Sequence, residues 1–273
     1  MNVYVFVKRW GRKLAFSKRQ QLVTVTLLLT TGLVLTQLVG GDWRYPMVAA
    51  LSLATYLFAA VGLRKGLAGM EWVTLLTLPT LFTAAIALFY FLLPVRWLTR
   101  VPVAVLYAVG MYALLLTENI YNVAADRTIA LLRAAQSIGY LLTLLTYFLL
   151  MQTVLAFRFA SGVVVVLTAL ISFLLLLQSL WSMELGDRVS RRVWYLSAAL
   201  TLVLVELSWV FSFLPVKTTL QALFFTTCFY SLSCMAQQYV VEKLYKKNVI
   251  EFFVVCMVVF LLILVTTRWR GNL

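Results

Sequence analysis

Residues 160–181 read ASGVVVVLTALISFLLLLQSLW, and this stretch decides the fold. It contains no charged residue and no proline. About 20 apolar residues wound as an α-helix rise about 30 Å, which is the thickness of a bilayer's hydrocarbon core. A helix that is apolar all round has no water-facing side, so it belongs in lipid or in the middle of a large core.

The same pattern recurs on both sides of it. Nine such runs are read, at about 21–40, 46–63, 71–93, 101–121, 129–156, 160–181, 193–214, 218–240 and 250–267. They predict an all-α polytopic transmembrane helix bundle of about nine spanning helices. The count falls to eight if the runs either side of Pro215 merge. Residues 21–273 form a single bundle on this reading, with no loop long enough for a separate domain. Pro79 lies inside the third run and is expected to kink that helix. Leu93–Pro94, Arg100–Pro102 and Leu214–Pro215 are expected to end helices. No internal repeat is evident, so the inverted-repeat signature of many transporters is unsupported.

Composition points the same way. The chain is 63% hydrophobic and 12% charged, against about 45–50% and 25% in soluble domains. Its net charge of +14 comes from cations in the gaps between apolar runs. That placement marks topology and contact with anionic headgroups at the cytoplasmic face, so the partners expected are membrane lipids and no nucleic acid. With the N-terminus inside, sixteen Lys and Arg fall in inner segments and seven in outer ones. The expected placement is the inner or plasma membrane, with the N-terminus cytoplasmic and, for nine spans, the C-terminus extracytoplasmic. Outward Arg268 and Arg270 strain this assignment. Residues 1–20 alternate Val3, Phe6, Val7, Trp10, Leu14 and Phe16 with six cations, the pattern of an interfacial amphipathic helix. No cleavable signal peptide is expected.

Several chemistries are excluded. There is no histidine, which removes the commonest general base, His-paired nucleophiles and the usual zinc and haem ligation. Every lysine falls at a span end or in a loop, so none is placed to form a Schiff base inside a span. No phosphate-binding loop or dinucleotide fingerprint occurs. Cys228, Cys234 and Cys256 form no CxxC pair and read as small hydrophobes. No enzyme activity, cofactor or metal is expected. Trp43, Trp97, Trp181, Trp194 and Trp269 fall near span ends, where an aromatic belt is expected. Gly110, Gly139 and Gly162 suit close helix packing.

The substrate- or ion-binding candidates are Glu206, Glu118, Arg133, Asn122 and Gln136. Glu206 is the one acid deep in a span, within the run Leu202–Trp209. An ionisable residue there costs at least about 2.5–3.5 kcal/mol, which makes it a functional candidate. Thr226, Thr227 and Tyr230 on the next span are expected as its hydrogen-bond donors. Two readings stand: a proton or cation site, or a neutral acid bonded across helices. The second constellation is Thr117–Glu118–Asn119–Ile120–Tyr121–Asn122, Asp126–Arg127–Thr128 and Arg133–Gln136. Glu118 and Arg133 are the expected ion pair, and Asp126 an expected helix cap. The readings are a closed structural hairpin, a lipid-headgroup or substrate site, or a partner contact.

The stretch Tyr121–Asn122–Val123–Ala124–Ala125, followed by Arg127–Thr128 and Leu131–Leu132–Arg133–Ala134–Ala135–Gln136, resembles the central signature of an uncharacterised family of bacterial polytopic membrane proteins. That family has no assigned activity, so the resemblance implies no catalytic roles. Two functional classes remain: a transporter-like protein handling lipid or a small solute, and a non-catalytic scaffold or partner-binding subunit.

Overall fold

The computed structural model describes residues 18–38, 43–63, 71–93, 97–122, 129–186 and 189–267. The described residues are helical and form nine α-helices. They are α1 (Lys18–Leu38), α2 (Arg44–Leu63), α3 (Glu71–Tyr90), α4 (Trp97–Tyr121), α5 (Ile129–Ala156), α6 (Ser161–Glu184), α7 (Arg191–Phe211), α8 (Thr218–Val240) and α9 (Lys246–Thr266). All nine are long and apolar enough to cross a membrane. The two helices flanking Pro215 are separate, which decides between eight and nine. Of the basic N-terminal segment, only Lys18, Arg19 and Gln20 are described, as the start of α1. Arg268 and Arg270 lie outside the described residues, as do Asp126, Arg127 and Thr128.

Each helix packs against the next one in the chain. The connections are too short to span a helix length, so consecutive helices are antiparallel. The bundle therefore has two ends. The amino end, where α1 begins, also holds the C-termini of α2, α4, α6 and α8. The opposite end holds the C-termini of α3, α5 and α7.

α5 is the axis of the bundle, packed against α3, α4, α6 and α8. Its Tyr147 is fully buried, stacks on Phe229 of α8 at 4.2 Å and shares a hydrogen bond with Ser172 of α6 at 3.2 Å. On the other side Phe82 of α3 stacks on Tyr107 of α4 at 5.9 Å. A buried hydroxyl relay joins Thr55 of α2, Thr83 of α3 and Tyr107, each step 3.0 Å. Such interhelical hydrogen bonds fix register where lipid supplies no hydrophobic drive between helices. α9 is peripheral, lying along α8 with only Ile263 buried.

Two expectations about local structure fail. Pro102 does not end a helix, because α4 runs through it from Trp97 to Tyr121. It sits in the second turn, where its missing N–H forfeits one bond near an end that already has unpaired groups. Trp181 is not an interfacial belt residue. It is buried, and its indole N–H donates to the Gly186 carbonyl at 3.0 Å. Gly110 and Gly139 do lie at close contacts, an added Cβ meeting Phe82 at 2.6 Å and the Tyr121 hydroxyl at 2.8 Å. Gly162 faces open space.

Candidate functional site

The amino end gathers polar side chains from five helices. The last carbonyls of an α-helix have no partner within the helix. At α2, α6 and α8 a donor from a different helix supplies one. Asn122 Nδ2, just past α4, donates to Leu63 O of α2 at 2.8 Å. Gln136 Nε2 of α5 donates to Ser182 O of α6 at 3.0 Å. An Arg192 guanidinium nitrogen of α7 donates to Tyr239 O of α8 at 3.0 Å, while the cation lies 4.2 Å from the Tyr239 ring centroid. Tyr121 Oη of α4 donates to Ala135 O of α5 at 3.2 Å. Gln237 Nε2 of α8 donates to Ser179 Oγ of α6 at 2.8 Å. The amide N–H groups of Asn122 and Gln136, two of the candidate binding residues, thus tie helix ends together, while Asn122 Oδ1 has no partner among the described residues.

Glu118 is different. It is 0% exposed, and Gln178 Nε2 of α6 donates to its Oε1 at 3.3 Å. Among the described residues its second oxygen has no partner, and neither has Gln178 Oε1. The expected ion pair with Arg133 is not formed. Arg133 is exposed on α5, and the ion pair among the described residues is Lys247–Glu251 at 3.8 Å. The two positions are on adjacent helices, but helix rotation turns one inward and the other out.

The deep acid is also misjudged by sequence. Glu206 is exposed on the outward face of α7, in a row with Leu202, Trp209 and Phe213. Its expected donors are engaged elsewhere. Thr226 bonds Ala222 O at 2.8 Å and Thr227 bonds Leu223 O at 2.9 Å, each within α8. Tyr230 packs its ring on Tyr140 and Phe252.

The opposite end holds a feature that no polar motif could announce. A cavity of about 580 Å³ opens between α2, α3, α5 and α6, with Leu88, Leu150, Val154, Leu167 and Ile171 in its wall. The volume is in the range of small-molecule sites. Thr153, also in the wall, turns its hydroxyl back onto Leu149 O at 2.8 Å. The mouth is aromatic. Phe91, Tyr45, Phe157 and Phe159 run in sequence with ring centroids 6.3, 6.1 and 5.5 Å apart. The Arg44 guanidinium sits 5.8 Å from the Phe91 ring centroid. Arg158 is exposed between Phe157 and Phe159, and its φ of 50° is left-handed. That turn reverses the chain from α5 toward α6 and lets both flanking phenylalanines reach the cavity. The available sequence signal was a cluster of aromatics and arginines at helix ends, which reads equally well as an interfacial belt.

Residues 60–266 match the model of a family described as a protein of unknown function, DUF5656. The chain belongs to that family. The matched segment contains the amino-end cluster and, except for Arg44 and Tyr45, the cavity and its mouth. No curated protein and no solved structure matches the chain.

Proposed function

We propose that this chain is a multi-pass membrane protein that holds a lipid at its opposite end, without catalysing a chemical step. The reading places the hydrocarbon tail in the cavity between α2, α3, α5 and α6. Arg44 and Arg158 sit at the mouth to meet an anionic headgroup. By the distribution of Lys and Arg, the amino end faces the cytoplasm, so the cavity serves the outer leaflet. The observation that supports this most is the wall itself. Its side chains are almost all aliphatic or aromatic and its hydroxyl Thr153 is already bonded, so a solute needing polar recognition would find little there. The test is native mass spectrometry of protein purified in mild detergent, comparing wild type with Leu150→Trp and Ile171→Trp. Both variants fill the cavity. The expected result is a bound lipid in wild type and a loss of at least about tenfold in the variants, which corresponds to about 1.4 kcal/mol. Equal lipid occupancy in all three would sink the proposal.

The partner-binding reading has its own support in Glu206. Carboxyls that face lipid are rare, because each costs several kcal/mol unless something covers it. A helix from another membrane protein, laid along Leu202, Glu206, Trp209 and Phe213 and offering a donor, would remove that cost. A photo-crosslinker at position 202 tests it. Crosslinking only to lipid argues against a partner on this face.

A further inference from the structure

Glu118 and Gln178 are 0% and 3% exposed, and they touch through one hydrogen bond, Gln178 Nε2 to Glu118 Oε1 at 3.3 Å. Glu118 Oε2 and Gln178 Oε1, the remaining oxygens of the two groups, are both buried acceptors with no donor among the described residues. An unmatched buried polar atom costs about 1–3 kcal/mol, and two acceptors cannot satisfy each other without a proton. One hydrogen atom cures both. A carboxylic acid and a primary amide form a cyclic pair, in which the amide N–H donates to one carboxyl oxygen and the acid O–H donates to the amide oxygen.

We propose that Glu118 is a proton-binding site, holding its proton on Oε2 and donating it to Gln178 Oε1, so that α4 and α6 are latched by an acid–amide pair. The surroundings fit an uncharged group. Of the described cations at this end, Arg19, Arg133, Arg191, Lys243, Lys246 and Lys247 are exposed, Lys18 is half-buried at the start of α1, and Arg192 is engaged by Tyr239. Tyr121, the titratable neighbour on the same helix, gives its hydroxyl proton to Ala135 O. The buried cluster around the end of α4 is uncharged: Leu75 of α3, Ala135 of α5 and Trp181 of α6 pack with Ile120 and Tyr121. The C-terminal carbonyls of α4 point toward this level, and their partial negative charge disfavours an added anion. A proton removes the anion without any counter-ion.

The site is distinct from the cavity at the other end, and its test is independent of lipid binding. The experiment is infrared difference spectroscopy of the purified chain at neutral pH, in H₂O and D₂O, with and without sodium. Glu206→Gln serves as the background, so that the exposed acid does not contribute. Wild-type residue 118 is expected to give the carbonyl stretch of an un-ionised carboxylic acid. The band should move on deuterium exchange, vanish in Glu118→Gln and rise in frequency in Gln178→Leu, which keeps the acid but removes its acceptor. Carboxylate stretches at residue 118 would overturn the proposal. If those stretches depend on sodium, the orphan oxygens hold a monovalent cation instead. An acid band unmoved in Gln178→Leu would overturn the pairing with α6.

Discussion

The two ends of the bundle solve opposite problems. At the amino end, Asn122, Gln136 and Arg192 each cross to a neighbouring helix and bond a terminal carbonyl, so the helix tips are drawn together. At the opposite end, α2, α3, α5 and α6 stand apart around a cavity of about 580 Å³, and aromatic rings rather than hydrogen bonds bridge the gap. The difference teaches where rigidity and room are kept. Polar bonds between helices specify one arrangement, because breaking one that is shielded from water strands a polar group. Ring contacts tolerate sliding, as the proposed lipid tail would require of its wall.

The largest effect expected from probing this contrast lies at Glu118. Glu118→Leu leaves the Gln178 amide unmatched at the tied end, and should lower unfolding free energy by about 2–3 kcal/mol. Glu206→Leu, on an outward face, should leave thermal stability in detergent unchanged. Melting curves of the two variants compare them directly, and equal losses would break the distinction between the buried and the outward acid. A smaller effect is expected at glycine. An added methyl at Gly139 meets the Tyr121 hydroxyl at 2.8 Å and Thr117 Cγ2 at 3.1 Å, between α5 and α4. Gly139→Ala should therefore cost about 1–2 kcal/mol through overpacking. Gly162, at the open end, meets nothing within 4 Å, so Gly162→Ala should instead stabilise α6 by up to about 1 kcal/mol. Opposite signs in the same melting assay sharpen the comparison. The smallest effect is at Arg158. Glycine tolerates the left-handed φ of 50° without a Cβ penalty. Relief of the Cβ clash is partly offset by glycine's greater freedom in the unfolded chain, so Arg158→Gly should gain about 0.5 kcal/mol of stability while weakening preference for anionic over zwitterionic lipid, read by mass spectrometry of mixed-lipid samples. A variant that loses stability would show that the arginine side chain, and not the turn, holds Phe157 and Phe159.

Much of the fold was legible without coordinates. The nine apolar runs end within a few residues of the nine helices, and Pro215 marks the break between α7 and α8. Hydropathy over about 20 residues is a local property set by bilayer thickness, so it is written in each segment separately. The polar cluster at 117–136 was also visible as a density of Asn, Gln and Glu. Its wiring was not. Gln178 and Leu63 complete it from 60 and 59 residues away in sequence, and nothing local at either position advertises the partner.

What the sequence determined by itself is therefore the nine apolar helices of the described residues, their approximate limits and the residues with chemistry to offer. What only the tertiary structure decided is which way each helix turns. In a water-soluble helix the polar face declares the outside. In these helices both faces are apolar, as expected where lipid on one side and neighbouring helices on the other would make similar demands. Rotation then rests on packing shape and on a few interhelical bonds. That is why Glu206, the deepest acid in the sequence, stands on the surface of α7, and why Glu118, read as half of a hairpin ion pair, is sealed against Gln178.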